Sequence, residues 1–252
     1  MNTNKKIVLV TGGTSGIGLG TVEYLLESGN YSVFSVSRGT ASIEKAKDKL
    51  HSEDVEFLQG DISNPEDAGR IYSIINEKCG RLDGLVNAAG IIKFGGIEDQ
   101  SLEDWKKAID INLTGVFILT KALLPLLKNG HNSSIVNVSS MASERPGGSI
   151  AYCASKAGLD SCTKYMAKEL GKYNIRVNSI NPGAVYTNIY VANGNYSQED
   201  YDKWSEDKIV NYPLGRIGDA KKDLAPAIEF FLSEKSLWTT GSICMVDGGI
   251  SI

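Results

Sequence analysis

The chain has 252 residues, 42% hydrophobic and 22% charged, with a formal net charge of −4. That profile fits one soluble globular unit; it offers no basic cluster to nucleic acid and no run of about eighteen apolar residues to span a membrane. Four scattered cysteines (Cys79, Cys153, Cys162, Cys244) read as reduced thiols of a cytoplasmic protein, and two distant histidines (His51, His131) argue against a catalytic metal.

The opening MNTNKK enters an apolar strand directly, too short and too polar for a signal peptide. Strands are predicted over residues 7–11, 32–37, 55–61, 85–88, 134–139, 176–180 and 243–246. Helices are predicted between them, over 16–28, 42–50, 65–79, 102–127, 151–172 and 219–233. Near-continuous Val/Ile/Leu strands separated by helices imply a parallel sheet covered on both faces. No linker, repeat or low-complexity tract divides the chain, so residues 1–252 read as a single doubly wound α/β domain.

Two stretches carry chemistry. The first strand runs into Thr11-Gly12-Gly13-Thr14-Ser15-Gly16-Ile17-Gly18 and then a helix. Glycines at such a turn let backbone amides approach a pyrophosphate at a positive helix N-terminus. The second is Tyr152-Cys-Ala-Ser-Lys156, where four-residue spacing puts a phenol and an ammonium on one helix face. An ammonium beside a phenol favours the phenolate, which makes Tyr152 a candidate acid/base. Ser140, at the end of the preceding strand, could donate to a carbonyl oxygen.

In order, these motifs resemble the short-chain dehydrogenase/reductases over essentially the whole chain. TGGTSGIG at 11–18 looks like the TGxxxGxG cofactor turn, and Tyr152–Lys156 like the YxxxK site. Gly60-Asp61-Ile62 matches the adenine-contacting acidic site, and Asn87-Ala88-Ala89-Gly90 the NNAG motif with one Asn replaced. Asn112 matches the helix asparagine, and Pro182-Gly183-Ala184-Val185-Tyr186-Thr187 the PGxxxT segment. The resemblance implies a Rossmann-type sheet of seven parallel strands in the order 3-2-1-4-5-6-7. It also implies that Tyr152 moves the proton, Lys156 lowers the tyrosine pKa and holds a ribose, and Asn112 anchors a relay water. Ser140 takes the serine role; Ser139 is the alternative, because the 140–152 loop is one residue shorter than in many relatives. Val185 and Thr187 would hold the nicotinamide carboxamide.

Where NAD enzymes place an acidic residue for the ribose hydroxyls, this chain has Ser37 followed by Arg38. A hydroxyl beside a guanidinium suits a 2′-phosphate, so NADP(H) is expected over NAD(H). The substrate is expected to be a small carbonyl or alcohol under a lid at about 188–213. The aromatics Tyr190, Tyr196, Tyr201, Trp204 and Tyr212 are expected mainly to pack that lid onto the protein. Two alternatives stand beside a general ketone reductase. One is a 3-oxoacyl-carrier-protein reductase, weakened because His131 and Tyr173 stand where arginines are common, with Lys128 and Lys172 as partial substitutes. The other is a non-catalytic NADP-binding sensor. Surplus apolar positions on helices 102–127 and 151–172 predict a homotetramer, with a dimer as fallback.

Overall fold

The apolar runs become one parallel sheet because alternate side chains feed opposite faces. The computed structural model describes residues 2–187, 189–192 and 196–252, without the side chains of Tyr190 and Ala192. Its strands are β1 (Lys6–Thr11), β2 (Tyr31–Ser37), β3 (Val55–Gln59), β4 (Gly84–Asn87), β5 (Ser134–Val138), β6 (Arg176–Pro182) and β7 (Ile243–Val246). They pair in the order β3-β2-β1-β4-β5-β6-β7, all parallel, as the resemblance implied.

Ile7 and Leu9 face one layer and Val8 and Val10 the other. The first layer holds α3 (Pro65–Cys79), α5 (Gly115–Lys128) and α6 (Ile150–Leu170), through Ile71, Ile75, Leu119, Leu123 and Leu170. The second holds α1 (Gly16–Glu27) and α9 (Ala225–Leu232), through Val22, Leu25, Ile228 and Phe231, while α2 (Thr40–Leu50) lies along β2 and β3. Strand order reverses at β1, which opens a crevice at the strands' C-terminal ends, the usual ligand position in such sheets.

Four differences from the sequence reading have physical causes. The strand expected over 55–61 stops at Gln59, because the Asp61 carboxylate accepts from Ser63 N at 2.9 Å and turns the chain. The helix expected over 102–127 is α4 (Leu102–Ile109) and α5 joined by a π-turn at Asp110–Thr114, where Gly115 N reaches back five residues to Asp110 O. This 27-residue run, Leu102–Lys128, is long and apolar enough to cross a membrane by length and composition, contrary to the sequence reading. Its apolar residues Leu119, Leu123, Leu126 and Leu127 are instead committed to the core beside α3. Finally, the lid contains α7 (Ile189–Ala192) and α8 (Gln198–Ile209), where no helix is predicted; Asn188 and 193–195 lie outside the described residues.

Candidate active site

Strand β5 delivers Val138, Ser139 and Ser140 to the crevice, and α6 begins opposite. Ser149 caps α6, its Oγ accepting from Tyr152 N at 3.1 Å, so the cap fixes the backbone of Tyr152 itself. Successive strand residues point to opposite sides, which separates the two serines. Ser139 Oγ donates to Lys156 O at 3.2 Å, inside the fold. The Ser140 hydroxyl acts on the Tyr152 phenol, lowering its pKa, and accepts from Ala142 N at 3.1 Å. Ser140, Tyr152 and Lys156 line one cleft of about 610 Å³, which Ser139 also borders.

The electrostatics correct one expectation. Burial pushes the Tyr152 phenol above its ordinary value; the Ser140 hydrogen bond opposes this, and the neighbouring Cys153 adds to it. Burial pushes the Lys156 ammonium down to about 8, against the opposing pull of Asp160. A site dry enough to place these groups penalises both charged forms, so the phenol is not made acidic by its lysine. Lys156 Nζ donates to Val138 O at 2.8 Å and lies 5.6 Å from the Tyr152 ring centre. Behind it, Asp160 accepts from Ser179 Oγ at 3.0 Å and Asn181 Nδ2 at 2.7 Å. Asn181 also donates to Ser143 Oγ at 2.9 Å, which ties this carboxylate to the turn following Ser140.

Asn112 sits in the π-turn, 1% exposed, and lines neither cleft. Its Oδ1 accepts from Ile91 N at 2.8 Å; its Nδ2 donates to Ile91 O at 2.9 Å and Ser155 Oγ at 3.1 Å. Those bonds make the side-chain amide a clamp on the loop after β4. Asn87 Nδ2 donates to Asn137 Oδ1 at 2.9 Å across the β4–β5 pair, and its Oδ1 is buried with no partner among the described residues.

A second cleft of about 600 Å³ adjoins the first, with Ile17, Ala88, Gly90, Thr187 and Ile189 shared between them. Gly12, Thr14, Ser15 and Gly16 form one wall, Ser37 and Arg38 another, and Asp61, Ile62 and Ala89 a third. Gly12 has φ +67°, and a Cβ there would stand 3.0 Å from Ala89 Cα. Gly18 lines neither cleft; a Cβ there would collide with the Gly12 carbonyl oxygen, so it keeps the turn tight. The N-terminus of α1 has no side-chain cap and no acidic residue in its first turn. Bare amides and glycine walls of this kind fit a pyrophosphate, so the residues present suit a dinucleotide.

At the far end, Thr14 Oγ1 donates to Ser37 Oγ at 2.9 Å and lies 3.2 Å from Ser42 Oγ. Arg38 pairs with Asp61 at 3.6 Å. Burial raises the Asp61 carboxyl, but the Ser63 hydrogen bonds and Arg38 outweigh it and leave it below the usual range. Sequence reasoning missed Ser42, and also Thr11, whose Oγ1 accepts from Ala88 N and Ala89 N at 3.0 Å each.

Pro182, Gly183 and Val185 reach the first cleft from β6 and the loop after it. The lid is footed there: Tyr201 donates to Val185 O at 3.2 Å and accepts from Thr187 N at 3.1 Å, and Tyr212 accepts from Ala184 N at 2.7 Å. Those two aromatics pack the lid as expected, and Tyr212 also lines the cleft together with Tyr196 and Trp204. The side chain of Tyr190 lies outside the described residues.

A family model described as enoyl-(acyl carrier protein) reductase matches residues 12–251. The chain is 36% identical over 261 residues to the 3-oxoacyl-[acyl-carrier-protein] reductase FabG of Thermotoga maritima, covering all of both chains. It is 33% identical to a 3alpha-hydroxysteroid dehydrogenase of Mediterraneibacter gnavus, covering 98% of each. Among solved structures, a short-chain dehydrogenase/reductase of Brucella melitensis (glucose/ribitol dehydrogenase) aligns with TM-score 0.88 and 30% identity, over 98% of this chain and 96% of that one. With this fold, this pair of clefts and these relatives, the chain belongs to the short-chain dehydrogenase/reductases, oxidoreductases that act on alcohols and ketones with a nicotinamide cofactor.

Proposed function

We propose that the protein is an NADP(H)-dependent oxidoreductase interconverting a ketone and a secondary alcohol. The observation that carries this is the convergence of Ser140, Tyr152 and Lys156 in a cleft that opens onto the glycine-turn cleft. The nicotinamide, when bound, supplies or accepts the hydride. Ser140 orients the carbonyl by donating to its oxygen, and Tyr152, held protonated by burial, delivers a proton to that oxygen. Lys156 holds a ribose hydroxyl, and Asn112 keeps the loop of Gly90 and Ile91 in place. Val185 and Thr187 flank the carboxamide, and Ser37 with Arg38 meets the 2′-phosphate. NADPH and NADH oxidation over a panel of ketosteroids, 3-oxoacyl thioesters, sugars and small diketones tests the reading; binding without turnover of any carbonyl favours the sensor instead.

A 3-oxoacyl-carrier reductase is the second reading, supported by the 36% identical relative of that name. Lys128 and Lys172 both stand over the Tyr173 ring, at 3.9 and 5.1 Å, and together form a cationic patch. A rate on carrier-bound thioester well above that on the free thioester decides for it.

Asp160 is a positioning residue in this scheme. Its charge opposes the burial that strips Lys156 of its proton, so Asp160→Asn lets that proton leave at lower pH. The alkaline limb of kcat/KM for ketone reduction, set by Lys156 at about 8, shifts toward acid in that variant. An unmoved limb refutes the coupling.

We also propose one domain, a cytoplasmic location supported by four free cysteines, and a homotetramer. Of the apolar positions on helices 102–127 and 151–172, Ile111, Val116, Leu123, Leu159 and Leu170 fill the core. The surface shows Phe117 on α5 and, as the surplus pattern on α6 expects, Tyr165, 60% and 70% exposed, and Leu237 and Trp238 shortly before β7. Light scattering is expected to give four times the chain mass of 27.2 kDa, and Phe117→Glu with Tyr165→Glu a smaller assembly. A single-chain mass for the unaltered protein rejects the tetramer and the dimer alike.

A further inference from the structure

We propose that the substrate carries a carboxylate at the end remote from its reacting carbon, held by Arg145 and Lys208. This rests on the ketone/alcohol reading above and deepens it by naming the substrate class.

The chain has 30 acidic against 26 basic residues, yet the substrate cleft is lined by Arg145, Lys156 and Lys208 and by no aspartate or glutamate. Lys156 belongs to the reacting end, buried and bonded to Val138 O. The other two cations come from different elements, Arg145 from the loop after Ser140 and Lys208 from α8. Among the described residues, neither forms an ion pair with a carboxylate of the chain.

Both are held at the cleft by contacts that leave the charge unneutralised. Arg145 Nη1 donates to the Ile250 carbonyl, and Ile250 lines the same cleft. Lys208 Nζ lies 5.9 Å from the centre of the Trp204 ring. Trp204 stacks on Tyr201 at 5.6 Å and 18°, and Tyr201 is anchored on Val185 and Thr187. Neither cation lines the glycine-turn cleft, so neither meets the cofactor's pyrophosphate or 2′-phosphate there. Phe94, Tyr196 and Trp204 line the same cleft, whose volume suits a ligand of drug size. A substrate with an apolar body, a carbonyl for Ser140 and Tyr152 and an anion for the two cations matches this set of lining residues. A guanidinium fork and an ammonium together match a carboxylate.

The test compares three ketones with one reacting ring: 4-(4-oxocyclohexyl)benzoate, its methyl ester and 4-phenylcyclohexanone. Two readouts are taken: KM in cofactor-dependent reduction, and fluorescence quenching in a Trp105→Phe/Trp238→Phe protein that retains Trp204 alone of the three tryptophans. The acid is expected to show a KM and a dissociation constant at least about tenfold below the ester's, the scale of a charge-assisted hydrogen bond. That ratio is expected to fall toward one in Arg145→Gln/Lys208→Gln and in raised salt, and to survive the control Lys203→Gln. An ester that binds as well as the acid, or a ratio that survives loss of both cations, overturns the proposal. Absence of turnover with all three ketones strikes the parent reading, and the quenching titration still decides the anion site.

Discussion

Tyr152→Phe is expected to lower turnover by at least about a hundredfold, roughly 2.7 kcal/mol in barrier, while leaving cofactor binding nearly intact. The substitution removes one oxygen and keeps the ring. The Ser149 cap acts on the backbone amide of residue 152, so α6 starts at the same place in the variant. Lys156 keeps its bond to Val138 O, because that contact does not involve the phenol. What disappears is the phenol that burial keeps protonated and whose pKa Ser140 pulls down; the other two tyrosines lining the cleft, Tyr196 and Tyr212, belong to the lid. Stopped-flow turnover and cofactor fluorescence separate the two effects. Near-normal turnover would remove Tyr152 from the proton step, and lost cofactor binding would make its role structural.

The fold was legible because its determinants are local. Val/Ile/Leu runs bounded by glycine and polar clusters specify buried strands, and a Ser-Gly-Ile-Gly turn between a strand and a helix leaves few alternatives. Tyr152 and Lys156 were legible for the same reason, since helical spacing alone puts them on one face. The lid helix α8 carried a signal that was overlooked. Ser197 caps it by accepting from Asp200 N at 3.1 Å, and its hydroxyl donates to Asp200 Oδ2 at 2.7 Å, a capping pattern written in the sequence as Ser-Gln-Glu-Asp.

Other features depend on contacts between distant parts of the chain. The π-turn at Asp110–Thr114 interrupts nothing in the apolar pattern of its helix, and the role of Asn112 is fixed by Ile91, on another element. The choice between Ser139 and Ser140 needed the direction of each side chain at the end of β5. The sign of the Tyr152 shift needed its burial. Charge placement suggests an attractive lysine, but only packing reveals that burial raises the phenol and lowers the ammonium.

Ser37→Asp combined with Arg38→Ala is expected to move the NADPH-to-NADH preference, as a ratio of kcat/KM, by at least about a hundredfold toward NADH. A guanidinium-to-phosphate hydrogen bond is worth about 1.5–3 kcal/mol, and the new carboxylate adds like-charge repulsion against a 2′-phosphate. Arg38 has a half-exposed side chain, so solvent screening places its own share at the low end of that range. The aspartate contributes through the site's geometry. Position 37 ends β2, where its hydroxyl already bonds Thr14 Oγ1 at 2.9 Å inside the cleft, and a carboxylate there can accept from ribose hydroxyls. Losing Arg38 also frees Asp61 from its partner at 3.6 Å, while the Ser63 hydrogen bonds to that carboxylate remain, so the loop holds its shape. Initial rates with both cofactors at saturating ketone, with thermal melting as a fold control, measure the outcome. A preference for NADH in the unaltered protein would show that Ser37 and Arg38 do not read a phosphate, and an unchanged ratio in the double variant would place the discrimination elsewhere in the cleft.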